Sequence, residues 1–505
     1  MGTAVLTGCT GPATAPTPDV TGPSASPAGP VDSADPAAVA LERIYGQSVD
    51  WGACTGYSTT MECAQIEVPL NWDEPSGDTV TVAVARIATA DPDSRRGSLV
   101  INPGGPGVSG IDYLDWLASA VSQPVRDVYD LVSFDPRGVG ASTPVDCVDD
   151  PELDEYMAES FAEDPAGLAE AAAEAKEFGQ ACHERTGDLL GFVDTASAAR
   201  DMDVIRAVMG DSKLNYLGFS YGTLLGATYA ELFPAEVGRL VLDGAIDPST
   251  TAAESDFNQI VAFDHSLAAF ASWCAGAATC PAGSGAEGIL ASVVTLLDGA
   301  LAKPLPTSYG RELTQSLALM GILEALYSET MWPALGEALT AAFQGRGDEL
   351  MVLADEMYHR DSATGRYADN MAEAIIAVNC LDAPVDGDMA AMEAAAAELR
   401  AAAPVLGQFA GYGALTCANW PFPARGTPHA VTAAGAAPIL VVGTTGDPAT
   451  PYEEAVALAD QLESGVLLTY EGEQHTAYGS SNQCVATAVD DYLIEGTVPA
   501  EGLRC

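Results

Sequence analysis

Positive charge is scarce in this sequence. Among 505 residues, 20 Lys and Arg face 71 Asp and Glu, a formal net charge of −51. Such a surface repels phosphate backbones, which argues against nucleic acid as a partner. It suits a well-solvated protein, and its field attracts cationic substrates such as peptides with a free N-terminal amine. Long apolar runs are also missing: no stretch of 18 or more apolar residues occurs, so no membrane-spanning helix is expected. There are only five histidines, which leaves few candidates for a catalytic base. The eleven cysteines form no C-x-x-C pair and no Cys/His cluster at zinc-finger spacing, so a structural zinc site is not expected. No internal repeat is visible.

What is present begins with a 48% apolar composition, enough for a large core. At about 150 residues per domain the length allows two to four domains, or one elaborated α/β domain. Leu6-Thr7-Gly8 before Cys9 resembles the lipobox of bacterial lipoproteins, in which the cysteine becomes the lipidated first residue. Residues 1–9 therefore read as the remnant of a lipoprotein signal, too short for a full basic and apolar leader. Residues 10–36, rich in Pro, Ala, Ser, Thr, Gly and Asp, read as a disordered tether. Ten cysteines remain once Cys9 is set aside, an even number suited to disulfides in an oxidising compartment. The expected location is extracellular, at the outer face of the cell membrane through a lipid anchor, or secreted.

Folded sequence starts near Ala37. The alternation of residues 80–87 reads as a strand, and the short apolar runs 98–101, 129–134, 214–218 and 239–243 read as buried strands. Helical spacing over 195–209 and 224–233 lies between them. Strands alternating with helices imply a mostly parallel sheet. From 248 to 430 the chain is Ala-rich and mostly helical, and strand-like runs return at 438–443 and 465–470. The pattern predicts an α/β core over 37–247 and 431–505, with a helical block over 248–430 inserted into it.

Gly218-Phe219-Ser220-Tyr221-Gly222 is a G-x-S-x-G segment between a predicted strand and a predicted helix. There the turn lifts a serine hydroxyl clear of the backbone at a helix N-terminus, which favours developing negative charge. A serine hydroxyl needs a base to act as nucleophile, and histidine supplies one near neutral pH. Folds with this elbow run serine, acid, histidine in chain order. His183 precedes the serine, and His265 and His359 fall in the helical block. His475 follows a late strand on a loop, with His429 as runner-up. The acid orients the imidazole and stabilises its cation. Asp447, directly after the strand at 438–443, fits that role, and Asp243, at the end of another strand, is the competitor. Oxyanion donors are expected from the amide of Tyr221 and from Gly105 in Asn102-Pro103-Gly104-Gly105-Pro106-Gly107; with no Lys after the glycines, that run is not a phosphate loop. Such acyl transfer needs no metal or cofactor.

These segments, with Phe134-Asp-Pro-Arg-Gly-Val-Gly-Ala-Ser142, Gly446-Asp-Pro-Ala-Thr-Pro451 and Gln474-His-Thr-Ala-Tyr478, resemble the secreted tripeptidyl aminopeptidases of actinobacteria. Those enzymes stand with the prolyl aminopeptidase-type serine peptidases of the α/β-hydrolase fold. The resemblance implies a mostly parallel central sheet, an inserted helical cap, a TAP-like C-terminal part, and release of short peptides from free N-termini. Proline iminopeptidases usually carry His where Asn102 stands, which points to the tripeptidyl branch. In relatives, acidic cap residues hold the substrate ammonium; Glu373 and Asp382 are the candidates here. A carboxylesterase or lipase on the same fold is the alternative, because G-x-S-x-G does not separate amide from ester cleavage. Nearest-neighbour disulfides are expected: Cys54–Cys63, Cys147–Cys182, Cys274–Cys280, Cys380–Cys417 and Cys484–Cys505. Oligomeric state is not legible.

Overall fold

The apolar runs become strands because each can be buried on both faces only inside a sheet with helices on either side. The computed structural model describes residues 35–505 apart from 58–59, 279 and 282–284. Cys9 and most of the expected tether lie outside the described residues. A helix already starts at Pro36, capped by the Asp35 carboxylate on the Ala37 amide, one residue before the expected start of folded chain.

In chain order the strands are β1 Gly52–Ala53, β2 Glu62–Pro69, β3 Thr79–Ile87, β4 Gly97–Asn102, β5 Tyr129–Phe134, β6 Leu214–Phe219, β7 Val237–Asp243, β8 Leu305–Pro306, β9 Glu312–Leu313, β10 Arg360–Asp361, β11 Arg366–Tyr367, β12 Ile439–Thr444 and β13 Gly465–Tyr470. Nine of them form one sheet in the order β1-β2-β3-β5-β4-β6-β7-β12-β13. The pairings from β1 to β5 are antiparallel, and those from β5 to β13 are parallel. β5 lies on one side of β4 and β6 on the other, so the winding reverses between β4 and β6. Open α/β sheets bind ligands in the crevice beyond the carboxyl ends of such a pair. Here those ends carry Asn102 and Phe219, which belong to the two candidate site segments 102–107 and 218–222.

Successive strand residues feed opposite faces. Leu99, Ile101 and Leu131 pack with Leu114, Leu117, Val489 and Leu493 of the helices Gly110–Ala120 and Gln483–Glu495. Val100, Val132 and Phe134 pack with Met202, Ile205, Leu225 and Leu458 of the helices Thr195–Val208, Tyr221–Leu232 and Tyr452–Gln461. Central β4, β5 and β12 are buried along their whole length, which explains their lack of alternation.

Between β7 and β12 the chain forms helices with their own core, built from Phe270, Ile289, Leu297, Ile322, Leu339 and Leu350. Two short hairpins, β8–β9 and β10–β11, interrupt this helical block. The helix Gly285–Ala302 is long and apolar enough to cross a membrane by length and composition alone. It lays Ile289, Val293, Leu296, Leu297 and Ala300 against the core of the block and leaves Glu287 and Asp298 exposed, the pattern of an amphipathic cap helix.

The segment between β5 and β6, read from sequence with the core, bridges both parts. Leu153, Met157, Phe178 and Cys182 join the sheet's core, whereas Asp154 pairs with Arg360 and Glu163 with Arg400 in the helical block. The five disulfides are Cys54–Cys63, Cys147–Cys182, Cys274–Cys280, Cys380–Cys417 and Cys484–Cys505, the nearest-neighbour set.

Candidate active site

Ser220 follows β6 directly and caps the helix Tyr221–Leu232. Its φ of 54° and ψ of −125° are unusual for a residue with a side chain and cost about 1–3 kcal/mol. Three hydrogen bonds hold that conformation. The Ser220 N–H donates to the Asp243 carbonyl at 2.9 Å, and the Ser220 carbonyl accepts from the Thr223 amide at 2.8 Å and its hydroxyl at 2.6 Å. The turn is tight enough to need both flanking glycines: a Cβ on Gly218 would stand 2.4 Å from the Gly222 carbonyl oxygen. Tyr221 is the first helical residue, so its amide has no intrahelical acceptor.

The glycine-rich loop after β4 lies against this elbow. A Cβ on Gly104, whose φ is +101°, would stand 2.6 Å from the Phe219 carbonyl oxygen, 2.9 Å from Ser220 Cβ and 3.2 Å from the Tyr221 nitrogen. Asn102 steadies the loop by accepting the Gly104 amide at 3.0 Å. The segment carrying Gly105 is thus tied to the serine and to the amide after it.

The expected acid and base meet on the far side of β7. His475 Nδ1 lies 2.9 and 3.0 Å from the two carboxylate oxygens of Asp447. Asp447 also accepts the amides of Ala449, Thr450 and Thr476, so its orientation is fixed on the loop after β12. The His475 amide donates to the Tyr327 carbonyl at 2.8 Å, and the two rings meet edge to face at 5.4 Å. A residue of the helical block therefore covers the histidine. With Nδ1 donating to Asp447, the neutral imidazole keeps its lone pair on Nε2. That Nε2 is buried without a hydrogen-bond partner.

Ser220 and His475 flank one step of the chain: the serine amide is bonded to Asp243, and a Cβ on the next residue, Gly244, would stand 3.1 Å from His475 Cε1. Asp243, the competitor for the acid role, is fully buried and accepts the Ala477 and Tyr478 amides instead of the imidazole. It anchors the loop that carries the histidine. Burial pushes its carboxyl up to about 6, against the pull of those amides. Burial works to lower the His475 pKa, but the charge and hydrogen bond of Asp447, with Asp243 behind, outweigh it and hold the imidazole above its ordinary value. The runner-up His429 is exposed and bonds the Thr427 carbonyl.

The two acids expected to hold a substrate ammonium serve backbone amides of this chain. Glu373 accepts from Cys147 and Val148 at 2.9 and 3.1 Å, and Asp382 accepts the Thr195 amide at 2.7 Å and its hydroxyl at 2.5 Å. Burial raises both carboxyls to about 7. A cleft of about 940 Å³ beside Ser109 and Asp112 is lined by none of Ser220, Asp447 and His475. Sequence reasoning missed Tyr327 and Thr195, which no motif marks; Thr195 does stand where a helix start was expected.

Residues 403–505 match a family described as TAP-like protein. Over 484 residues the chain is 39% identical to the serine protease Hip1 of Mycobacterium tuberculosis, covering 92% of each chain. The chain belongs to the tripeptidyl aminopeptidase-type family of α/β-hydrolases. Within that family it is also 32% identical to the tripeptidyl aminopeptidase of Streptomyces lividans, over 93% of this chain and 88% of that one. A carboxylesterase B of M. tuberculosis is 39% identical over 92% of this chain and 90% of its own. The chain is accordingly a serine hydrolase of peptidase type on the α/β-hydrolase fold.

Proposed function

We propose that this TAP-like hydrolase releases short peptides, tripeptides first of all, from the free N-termini of peptides, with Ser220, His475 and Asp447 as its triad. The observation that carries the reading is the 2.9 Å contact between His475 and Asp447, which leaves Nε2 as the free base, while the strained serine of the strand-to-helix turn is bonded through its amide to Asp243, the residue before the glycine that the imidazole approaches. His475 takes the Ser220 proton as the hydroxyl oxygen attacks the substrate carbonyl. The amides of Gly105 and Tyr221 hold the oxyanion. The C–N bond then breaks as His475 gives its proton to the leaving amine, and water activated by the same imidazole cleaves the ester to Ser220, releasing the short peptide with a free carboxylate and restoring the serine hydroxyl.

The finer claim, tripeptides from free N-termini, is supported by the name of the Streptomyces relative and by the acidic field of the chain. Glu373 and Asp382 are not carried forward as ammonium ligands, because amides of the fold already occupy them. Glu324 is the better cap candidate. It lies on the helix Gln315–Leu326, one turn before Tyr327, and burial followed by the neighbouring Glu356 raises its carboxyl to about 7. Ester cleavage is the second reading, favoured by the carboxylesterase B relative. Mass spectrometry of products from a mixed peptide library separates the two. Tripeptides from free N-termini only are expected; cleavage of N-acylated peptides, or of esters alone, would overturn the proposal. Five disulfides fit an oxidising, extracellular location, and acylation of Cys9, read out by fatty-acid labelling lost in Cys9→Ala, would add the membrane anchor.

A further inference from the structure

The cap helix Met371–Asp382 touches the α/β core at four places. At its start, Asn370 donates to the carbonyls of Gly138 and Val145 and accepts the Gly140 amide, all within 2.8–2.9 Å. Glu373 holds the Cys147 and Val148 amides. In its first turns, the Met371 carbonyl, Ala374 Cβ and the Ile375 nitrogen close so tightly on Gly107 that a Cβ there would stand 3.0–3.1 Å from each. Gly107 ends the loop that carries Gly105. At the helix's last residue, Asp382 reaches the elbow itself. Its Oδ1 accepts the Thr195 amide and its Oδ2 accepts the Thr195 hydroxyl at 2.5 Å, while the Tyr221 hydroxyl lies 2.5 Å from the same Thr195 oxygen.

With Asp382 ionised, the protons in this chain have one arrangement. Asp382 as a carboxylate can only accept, so Thr195 must donate to it, and Tyr221 must then donate to Thr195. Each bond polarises the next, and burial removes water as a competitor. Asp382 also sits on the first amide of the helix Thr195–Val208, where negative charge is favoured. Tyr221 is 4% exposed and carries the amide assigned to the oxyanion.

We propose that Asp382 and Thr195 are positioning residues that fix Tyr221, so that docking of the cap helix sets the geometry of the oxyanion hole. This rests on the triad reading above. A donor displaced by less than 1 Å from the developing oxyanion loses most of its effect on kcat while leaving ground-state binding intact.

The test begins with fluorophosphonate labelling of the full chain and of Ser220→Ala; a wild-type protein that fails to label rejects the triad reading and takes this inference with it, an outcome distinct from the variant kinetics that test the inference alone. With labelling established, Thr195→Val, Thr195→Ser and Tyr221→Phe are compared on a peptide p-nitroanilide. Expected is a fall in kcat of roughly 10-fold or more for Thr195→Val and Tyr221→Phe, KM within about twofold, and recovery in Thr195→Ser, which keeps the hydroxyl. Tyr221→Phe keeps the buried ring, so it answers the question even where Thr195→Val does not fold. Unchanged kcat in Tyr221→Phe overturns the inference. A rise in KM at constant kcat overturns it equally, since it would make these groups substrate contacts.

Discussion

The carboxyl edge of the sheet and the cap helix above it use the same residue type in opposite ways. At the sheet edge, Asp447 receives three amides and an imidazole, and the contact with His475 can polarise a reaction. On the cap helix, Glu373 and Asp382 receive amides and a hydroxyl only. A buried acid is therefore defined by what it faces. One next to an imidazole can orient it and stabilise its cation; one next to backbone N–H groups pins two segments together. If that division holds, substitutions at the edge remove activity and leave the fold, and substitutions in the cap erode stability or tune the edge from a distance.

The largest effect expected is at the edge. Ser220→Ala and His475→Ala should each lower kcat by about 10⁶-fold, and Asp447→Asn by about 10⁴-fold. Melting temperatures should stay near that of the unaltered protein, because the Asn oxygen can still accept the Ala449 and Thr450 amides that Oδ1 accepts, and only the Thr476 amide on Oδ2 loses its partner. Steady-state kinetics beside a thermal melt decide this; a Ser220→Ala protein that still turns over would end the assignment.

Gly104→Ala should come next. Its Cβ would meet the Phe219 carbonyl and Ser220 Cβ, and its φ is one that alanine rarely adopts. The loop must shift away from the elbow, and a displaced oxyanion donor costs on the order of 100-fold in kcat. Crystallography of the variant should show the loop moved. Full activity with the loop displaced would mean that Gly105 is not a donor.

How much of this was legible beforehand follows from the same division. The serine elbow, the acid after β12 and the histidine loop are each encoded by a few adjacent residues, because strand-to-loop junctions demand local chemistry. The sheet was legible for the same reason, although β2 went unread despite its alternation of Ala64, Ile66 and Val68 with Gln65 and Glu67. The network from Asp382 through Thr195 to Tyr221 was not legible. Its members lie up to 187 residues apart, and each looks like an ordinary helix-terminal polar residue. Position favoured Asp447 over its competitor Asp243, and the structure lays Asp447 against the imidazole.

A smaller effect sharpens the cap side of the comparison. The Cys380–Cys417 disulfide closes a span of 37 residues and ties the end of the helix Met371–Asp382 to the helix Ala414–Ala418. Replacing both cysteines with serine should cost about 2–4 kcal/mol of stability, seen as a lower Tm or denaturant midpoint. The loss should appear in stability rather than in kcat measured well below the new Tm. Unaltered stability would mean that hydrogen bonds alone hold the helix end.

The smallest effect concerns pH. Burial raises the carboxyls of Asp243 to about 6 and of Glu324, Glu373, Asp382 and Glu454 to about 7. Each group thus binds its proton more tightly in the folded chain than in the unfolded one. Between the ordinary carboxyl range near 4 and about 7 the folded state holds more protons, so stability falls as pH rises through that window. The stabilisation is fully present below pH 4 and gone above about 7, while repulsion within a chain of net charge −51 adds in the same direction. Other groups limit stability at very low pH, so the useful comparison is pH 5 against pH 8, where Tm should drop by roughly 5 °C. Activity should move the opposite way, because His475 must be neutral to act as base and its pKa is raised, so kcat/KM climbs through and above the ordinary histidine range. The protein should therefore be less stable where it is more active. A Tm that rises from pH 5 to pH 8 would show that these acids are solvated, and the separate role of the cap carboxylates would fall with it.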